Sequence, residues 1–172
     1  ITAGIIIVIL LLLLNQWRII KYNRNLKNKE MTLKEEHLIL QEQVNRDSLT
    51  TLYNRRYLME SAKYLIALSK RQHESLSIMM VDIDNFKMIN DTYGHGVGDI
   101  AIKMIAQTVK ACSRKSDIAA RFGGEEFILL LPNTKTEDAK IIAEKIRQKI
   151  EVLKIPINEH YLMLTVSIGI AP

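Results

Sequence analysis

From Asp47 onward the hydrophobic pattern switches repeatedly between the helical and the strand period, and this alternation limits the fold more than any other feature of the chain. Leu49 to Ser69 carries a helical pattern, and Leu76 to Ile83 is an apolar run bounded by polar residues, as a buried strand requires. Asp99 to Cys112 sets Ile102, Ile105, Ala106 and Val109 on one helix face. Ile118 to Phe122 and Phe127 to Leu131 predict two strands around a tight turn at Gly123-Gly124, ended by Pro132 and Asn133. Thr136 is placed to cap a further helix whose core face is Ala139, Ile142, Ala143, Ile146, Ile150 and Leu153. Leu162, Leu164, Val166, Ile168 and Ile170 then alternate as a half-buried strand should. Helices interleaved with strands, one hairpin among them, predict a mixed-sheet α/β or α+β sandwich. Apolar residues make up 48% and charged residues 25%, which supports a packed core and excludes wholesale disorder. The single cysteine, Cys112, excludes an intrachain disulfide framework and a cysteine-based zinc cluster.

Upstream of this region the chain has a different character. Ile1 to Leu14 carries no charge and is almost wholly aliphatic. As a helix it reaches roughly 21 Å, short of a hydrocarbon core about 30 Å thick. The next turn, through Trp17 and Ile20, or residues further upstream, would complete a span. Arg18, Lys21, Arg24, Lys27 and Lys29 follow, a basic cluster that places the C-terminal side in the cytoplasm. The expectation is a transmembrane helix over 1–20 in the cell inner membrane; a buried soluble helix is the rival. A signal peptide carries its positive charge before the apolar run, not after it. From Arg18 to Arg46 the pattern is helical, without Gly or Pro. Ile19, Leu26, Leu33 and Leu40 recur every seventh residue, while Glu30, His37 and Val44 share the adjoining seam. A parallel coiled coil and a solvated connector helix both fit residues 21–46.

The chemistry sits at strand ends. Asp82-Ile83-Asp84 closes one strand, and Gly123-Gly124-Glu125-Glu126-Phe127 forms the hairpin turn. If those strands are neighbours, Asp82 and a turn glutamate converge on one hard cation, and carboxylates with a backbone carbonyl suit Mg²⁺. Adjacent strand residues face opposite ways, so Glu125 and Glu126 are not both expected to reach it. An acidic turn alone is most often a solvated loop. The net charge of +5 suits a phosphate-bearing ligand or an anionic membrane without proving either.

Four motifs in order change that weighing. They are Asp47-Ser48-Leu49-Thr50-Thr51-Leu52-Tyr53-Asn54-Arg55-Arg56, Asp82 to Asp91, Gly94-His95-Gly96-Val97-Gly98-Asp99, and the turn itself in its GGEEF form. Ser167-Ile168-Gly169-Ile170-Ala171 adds a late strand. Together they resemble the GGDEF family of bacterial diguanylate cyclases over residues 47–172. The resemblance implies a palm-like domain with a mixed central sheet flanked by helices. It implies an enzyme that condenses two GTP into cyclic di-GMP and two pyrophosphates for second-messenger signalling. It further implies a homodimer with Mg²⁺, or alternatively Mn²⁺, and no nucleic-acid partner.

Residue by residue, the resemblance implies that Asp82, the Ile83 carbonyl and Glu125 hold the metal. Glu125 is the family's proton acceptor, and Lys87 offsets charge in the transition state. Asn90, His95, Asp99 and Gly124 bind GTP; Asn90 and Asp99 take the guanine edge. Asp84 is expected to cap the following helix. Arg114 and Asp117 match the family's R-x-x-D site, where cyclic di-GMP inhibits. The family continues into a basic helical segment that grips phosphate, which this chain does not contain, so little turnover is expected of the chain as it stands. Two other functions compete. One is an idle domain that binds GTP or cyclic di-GMP and signals through a partner. The other is a different palm-type nucleotidyl transferase.

Overall fold

A computed structural model describes residues 2–157 and 160–172, with side chains described except at 2, 3, 5–13 and 38. The chain divides into two compact units, Ile1–Val44 and Asn45–Pro172.

The first unit is one helix, α1 (Thr2–Val44). Beyond Gly4 its sequence offers no Gly or Pro to break the ladder. Its described surface is held locally, by Lys34 donating to the Glu30 carboxylate at 2.7 Å and by the Lys21 ammonium 4.9 Å from the Trp17 ring centre. The membrane-spanning helix expected over 1–20 is not found: among the described residues no helix is long and apolar enough to cross a membrane. The side chains at 5–13, on which that expectation rests, lie outside the described ones.

The second unit contains β1 (Tyr53–Asn54), α2 (Arg55–Gln72), β2 (Leu76–Ile83), α3 (Phe86–Tyr93) and α4 (His95–Cys112). There follow β3 (Ile118–Arg121), β4 (Glu126–Pro132), α5 (Thr136–Glu151), β5 (Ile155–Ile157), β6 (His160–Leu162) and β7 (Val166–Ala171). Five strands form one sheet in the order β1-β3-β4-β2-β7, and β5 and β6 form a separate hairpin. The β1–β3 pair is parallel, and the remaining pairs of the large sheet are antiparallel. The expected mixed sheet flanked by helices is what forms.

Strand parity sorts the core. Met79, Val81 and Ile83 of β2 and Phe127, Leu129 and Leu131 of β4 point to one face and are almost fully buried. Ile102, Ile105, Ala106 and Val109 of α4 cover them, with Ala139, Ala143, Ile146 and Ile150 of α5. A smaller cluster on the opposite face joins Leu58 of α2 to Ala120 and Leu130.

Four local expectations change. Helix α2 starts at Arg55, not Leu49, because Asp47 folds residues 47–52 into a turn first. Its carboxylate accepts from the Thr50 amide (2.9 Å) and hydroxyl (2.7 Å), and Thr51 takes a left-handed φ of 61°. Asn54 then caps α2 by accepting from the Tyr57 amide at 3.0 Å. Thr136 does not cap α5; Lys135 occupies that position without a side-chain bond, and Glu137 and Asp138 supply negative charge to the first turn. Asp84 does not cap α3, since Asn85 is the residue before the helix, at φ 57°, with no side-chain cap. The Asp84 carboxylate instead accepts from the Thr165 and Ser167 hydroxyls, both at 2.6 Å. That contact sits where the alternating run 162–170 breaks into β6 and β7.

Candidate active site

The end of β2, the β3–β4 turn and the start of β7 meet at one edge of the domain. Asp82 is the register partner of Glu126 on one side and of Ser167 on the other. Register partners project to the same face of a sheet, so Asp82 and Glu126 stand side by side. Glu125 lies one residue before β4, in the turn itself. The glutamate directly across the ladder from Asp82 is therefore Glu126, while Glu125 is free of strand parity because it precedes the strand. No hydrogen bond or ion pair among the described residues engages the carboxylates of Asp82, Glu125 or Glu126. Nor do the described residues contain a cluster of three or more His, Cys, Asp or Glu able to enclose a metal on their own. Hard oxygen donors in this number still suit Mg²⁺, which commonly takes one or two carboxylates and completes its shell with water and substrate phosphate.

The turn is braced from outside. The Phe122 amide donates to the Glu126 carbonyl at 2.8 Å. The Arg121 guanidinium donates to the Gly124 carbonyl through Nη2 at 2.8 Å and Nε at 3.2 Å. Its Nη1 reaches the Asp47 carboxylate at 3.4 Å. One side chain thus ties the turn to the first motif, 74 residues earlier. Burial pushes the Asp47 carboxyl up, but hydrogen bonds from Thr50 and the neighbouring Arg121 together hold it below its ordinary value. Gly123 is needed where it stands, because a Cβ there would collide with the Glu126 carboxylate.

A second part of the site lies between α3 and α4. Asn90 is half-buried on α3, and its Oδ1 is the one buried side-chain polar atom without a partner among the described residues. It packs against Gly98, where a Cβ would overlap Oδ1 and press to 3.1 Å of the Phe86 ring. An orphaned buried acceptor costs about 1–3 kcal/mol, and a bound donor removes that cost. Asp99, one residue on, is exposed in the first turns of α4, and His95 is exposed at its first residue, after Gly94 at φ 83°. Lys87 is exposed in the first turn of α3. The Ile83 side chain is in the core, at 1% exposure, so only its backbone is available to a ligand. Gly124 is exposed at the turn tip.

Arg114 and Asp117 sit elsewhere, in the α4–β3 loop, one short strand from the turn. Four strand residues separate the two places, a distance of about 13 Å. Asp117 is buried and accepts from the Arg114 amide at 2.6 Å and the Ser116 hydroxyl at 3.4 Å, while the Arg114 side chain is exposed.

Two features at this edge have no clear signature in the sequence. Parity alone leaves open which of Glu125 and Glu126 stands opposite Asp82, because it depends on the residue at which β4 begins. The Arg121–Asp47 link has no local signature, since only the parallel pairing of β1 with β3 brings these residues together.

Residues 44–172 match the family described as diguanylate cyclase, GGDEF domain. Diguanylate cyclase A of Treponema denticola is 43% identical over 135 residues, covering 77% of this chain and 36% of that protein. Diguanylate cyclase SiaD of Pseudomonas aeruginosa, solved with its activator SiaC, superposes with a TM-score of 0.78 at 36% identity, over 89% of this chain and 59% of that one. The coiled coil and GGDEF domain of DgcB from Caulobacter crescentus, solved with c-di-GMP, gives a TM-score of 0.76 at 25% identity, over 84% and 77%. The chain spans about a third of the length of the curated relatives it matches. By fold, motif order and sequence, the chain belongs to the GGDEF family of diguanylate cyclases.

Proposed function

We propose that the protein synthesises cyclic di-GMP from two GTP as a homodimer. The observation that carries this reading is the β2–β4 register, which sets Asp82 beside the acidic turn at an open edge of the sheet. In the reaction, the 3′-hydroxyl oxygen of each GTP bonds to the α-phosphorus of the other. The bond to the β-phosphate bridging oxygen breaks, and pyrophosphate leaves with the electron pair. Glu125, in the turn rather than in the ladder, is placed to accept the hydroxyl proton. Lys87 offers positive charge at the start of α3 for the phosphates. Asn90 and Asp99 take the donor edge of guanine, and adenine would leave them unpaired. Asp82, the Ile83 carbonyl and Glu125, with Glu126 beside them, would hold Mg²⁺ or Mn²⁺. Such a cation neutralises phosphate charge when bound.

Each domain has one such site and the product needs two reciprocal attacks, so two domains must face each other. Helix α1 is the tether in this proposal, since its leucine seam is exposed and DgcB is described with a coiled coil. Arg114 and Asp117 form the product-inhibition site, separate from the turn. The inner-membrane placement, with the domain in the cytoplasm, belongs to the same proposal and rests on the uncharged Ile1–Leu14 run and the basic cluster after it. The test is incubation of the protein, in a form that includes the family's basic phosphate-gripping segment, with GTP and Mg²⁺, with the product identified by mass. Cyclic di-GMP supports the reading. Bound GTP without turnover would favour the idle binding module, and a different cyclic nucleotide would favour another transferase.

A further inference from the structure

Helix α1 carries a feature that the dimeric reading uses but does not explain. Ile19, Leu26, Leu33 and Leu40 stand on one stripe, each about half exposed or more. If these are the d positions of a heptad, the a positions are Asn23, Glu30, His37 and Val44. Three of these four are polar, so one seam is apolar and the other is not.

The surface of α1 fits this phase. Glu30, Leu33, Lys34 and His37 enclose a shallow, almost wholly apolar hollow on the helix. In heptad terms these are a, d, e and the next a. Four residues in that arrangement form the hole that receives a d side chain from a parallel partner in register. The occupant that matches by size and register is Leu33 of a second copy. The stems of Glu30 and Lys34, joined by their 2.7 Å ion pair, form the rim.

Resting on the dimeric reading, we propose that α1 pairs in parallel with a second copy and that His37 makes this pairing weaken on acidification. In such a pair each imidazole faces the same imidazole of the other helix, between the Leu33 and Leu40 layers. The charged groups that flank it are Glu36 of the opposite helix and Lys34 one turn earlier on its own. Histidine is the side chain that changes charge between pH 5 and 8. Neutral imidazoles are tolerated in a layer bounded by leucines. Two imidazolium ions there repel each other and lose hydration, and Lys34 adds to the repulsion. Glu36 opposes this, but a rim-exposed ion pair contributes only about 0.2–1 kcal/mol. Protonation therefore favours the separated helices. Each proton taken up only by the separated helix lowers association about tenfold per pH unit.

Sedimentation equilibrium of the full chain in mild detergent, at pH 8 and pH 5.5, tests this. The dimer is expected to be at least about tenfold weaker at pH 5.5. His37→Leu should tighten the dimer at both values and abolish the difference, with helix content by circular dichroism unchanged. A dimer of equal affinity at both pH values would overturn the proposal and leave the dimeric reading standing. So would the same pH dependence in His37→Leu. A monomer at every pH and concentration would overturn both.

Discussion

Arg121→Ala isolates the brace that holds the turn against the first motif. The guanidinium makes two bonds to the Gly124 carbonyl and one long contact to Asp47, with its side chain only 17% exposed. A hydrogen bond to a charged group contributes about 1.5–3 kcal/mol net. The two donors share one acceptor, so they count as one such bond. The Asp47 pair, at 3.4 Å and partly solvated, adds within about 1 kcal/mol. The expected loss is about 2 kcal/mol, or about 8 °C in Tm for a domain of this size. Arg121→Lys keeps the charge and loses the fork, so it should recover less than half of this. Acid adds an independent readout. Asp47 has a folded pKa below the reference value of 3.8, so its contribution is present above that value and fades as pH falls through the folded one. Removing Arg121 takes away one of the causes of the depression, so the variant should lose less stability than the parent between pH 7 and pH 3. Thermal melts at pH 7 and pH 3, with initial rates of cyclic di-GMP formation, measure both effects. A Tm within 2 °C of the parent and unaltered turnover would refute the reasoning.

Four further outcomes are expected. In a form that includes the phosphate-gripping segment, Glu125→Gln keeps the shape of the turn residue and removes its charge, so turnover should fall at least about 10²-fold with an unchanged melt. Arg114→Ala should leave initial rates nearly intact and straighten progress curves at product concentrations that inhibit the parent. Gly98→Ala drives a methyl into Asn90 and Phe86; KM for GTP should rise about tenfold, stability should fall by about 1–3 kcal/mol, and discrimination against ATP should narrow. Leu33→Asp with Leu40→Asp should lower specific activity steeply at dilute enzyme and recover it partly at high concentration, because the tether supplies effective concentration. Activity of that double variant that is independent of concentration and equal to the parent's would assign dimerisation to another surface.

Much of the fold was legible in the order of the residues, because burial imposes a period on sequence. Strand β2 lies at Leu76–Ile83 as the apolar run predicts, and α4 and α5 bury the faces their periodicity marks. The motifs around Asp82 and the Gly-Gly turn fall at the ends of adjacent strands, and those around Asn90 and Asp99 fall on the neighbouring helices α3 and α4. Where local polar chemistry competes, period alone misleads. Asp47 and Asn54 divert residues 47–54 into a turn and a cap, and the hydroxyls of Thr165 and Ser167 claim the carboxylate of Asp84.

What the sequence by itself determined is therefore the longer helices and strands of the domain, though not the short β1, β5 and β6, and the family. Those follow from side-chain period and from motifs whose spacing is short enough to read along the chain. Tertiary structure alone decided which glutamate stands opposite Asp82, because register shifts by one residue exchange the two faces of a strand. It alone joined Arg121 to Asp47 across 74 residues, because the strand order that makes them neighbours is a property of the whole sheet. It alone left Asn90 Oδ1 buried and unpaired against Gly98, since that close approach depends on how α3 and α4 pack.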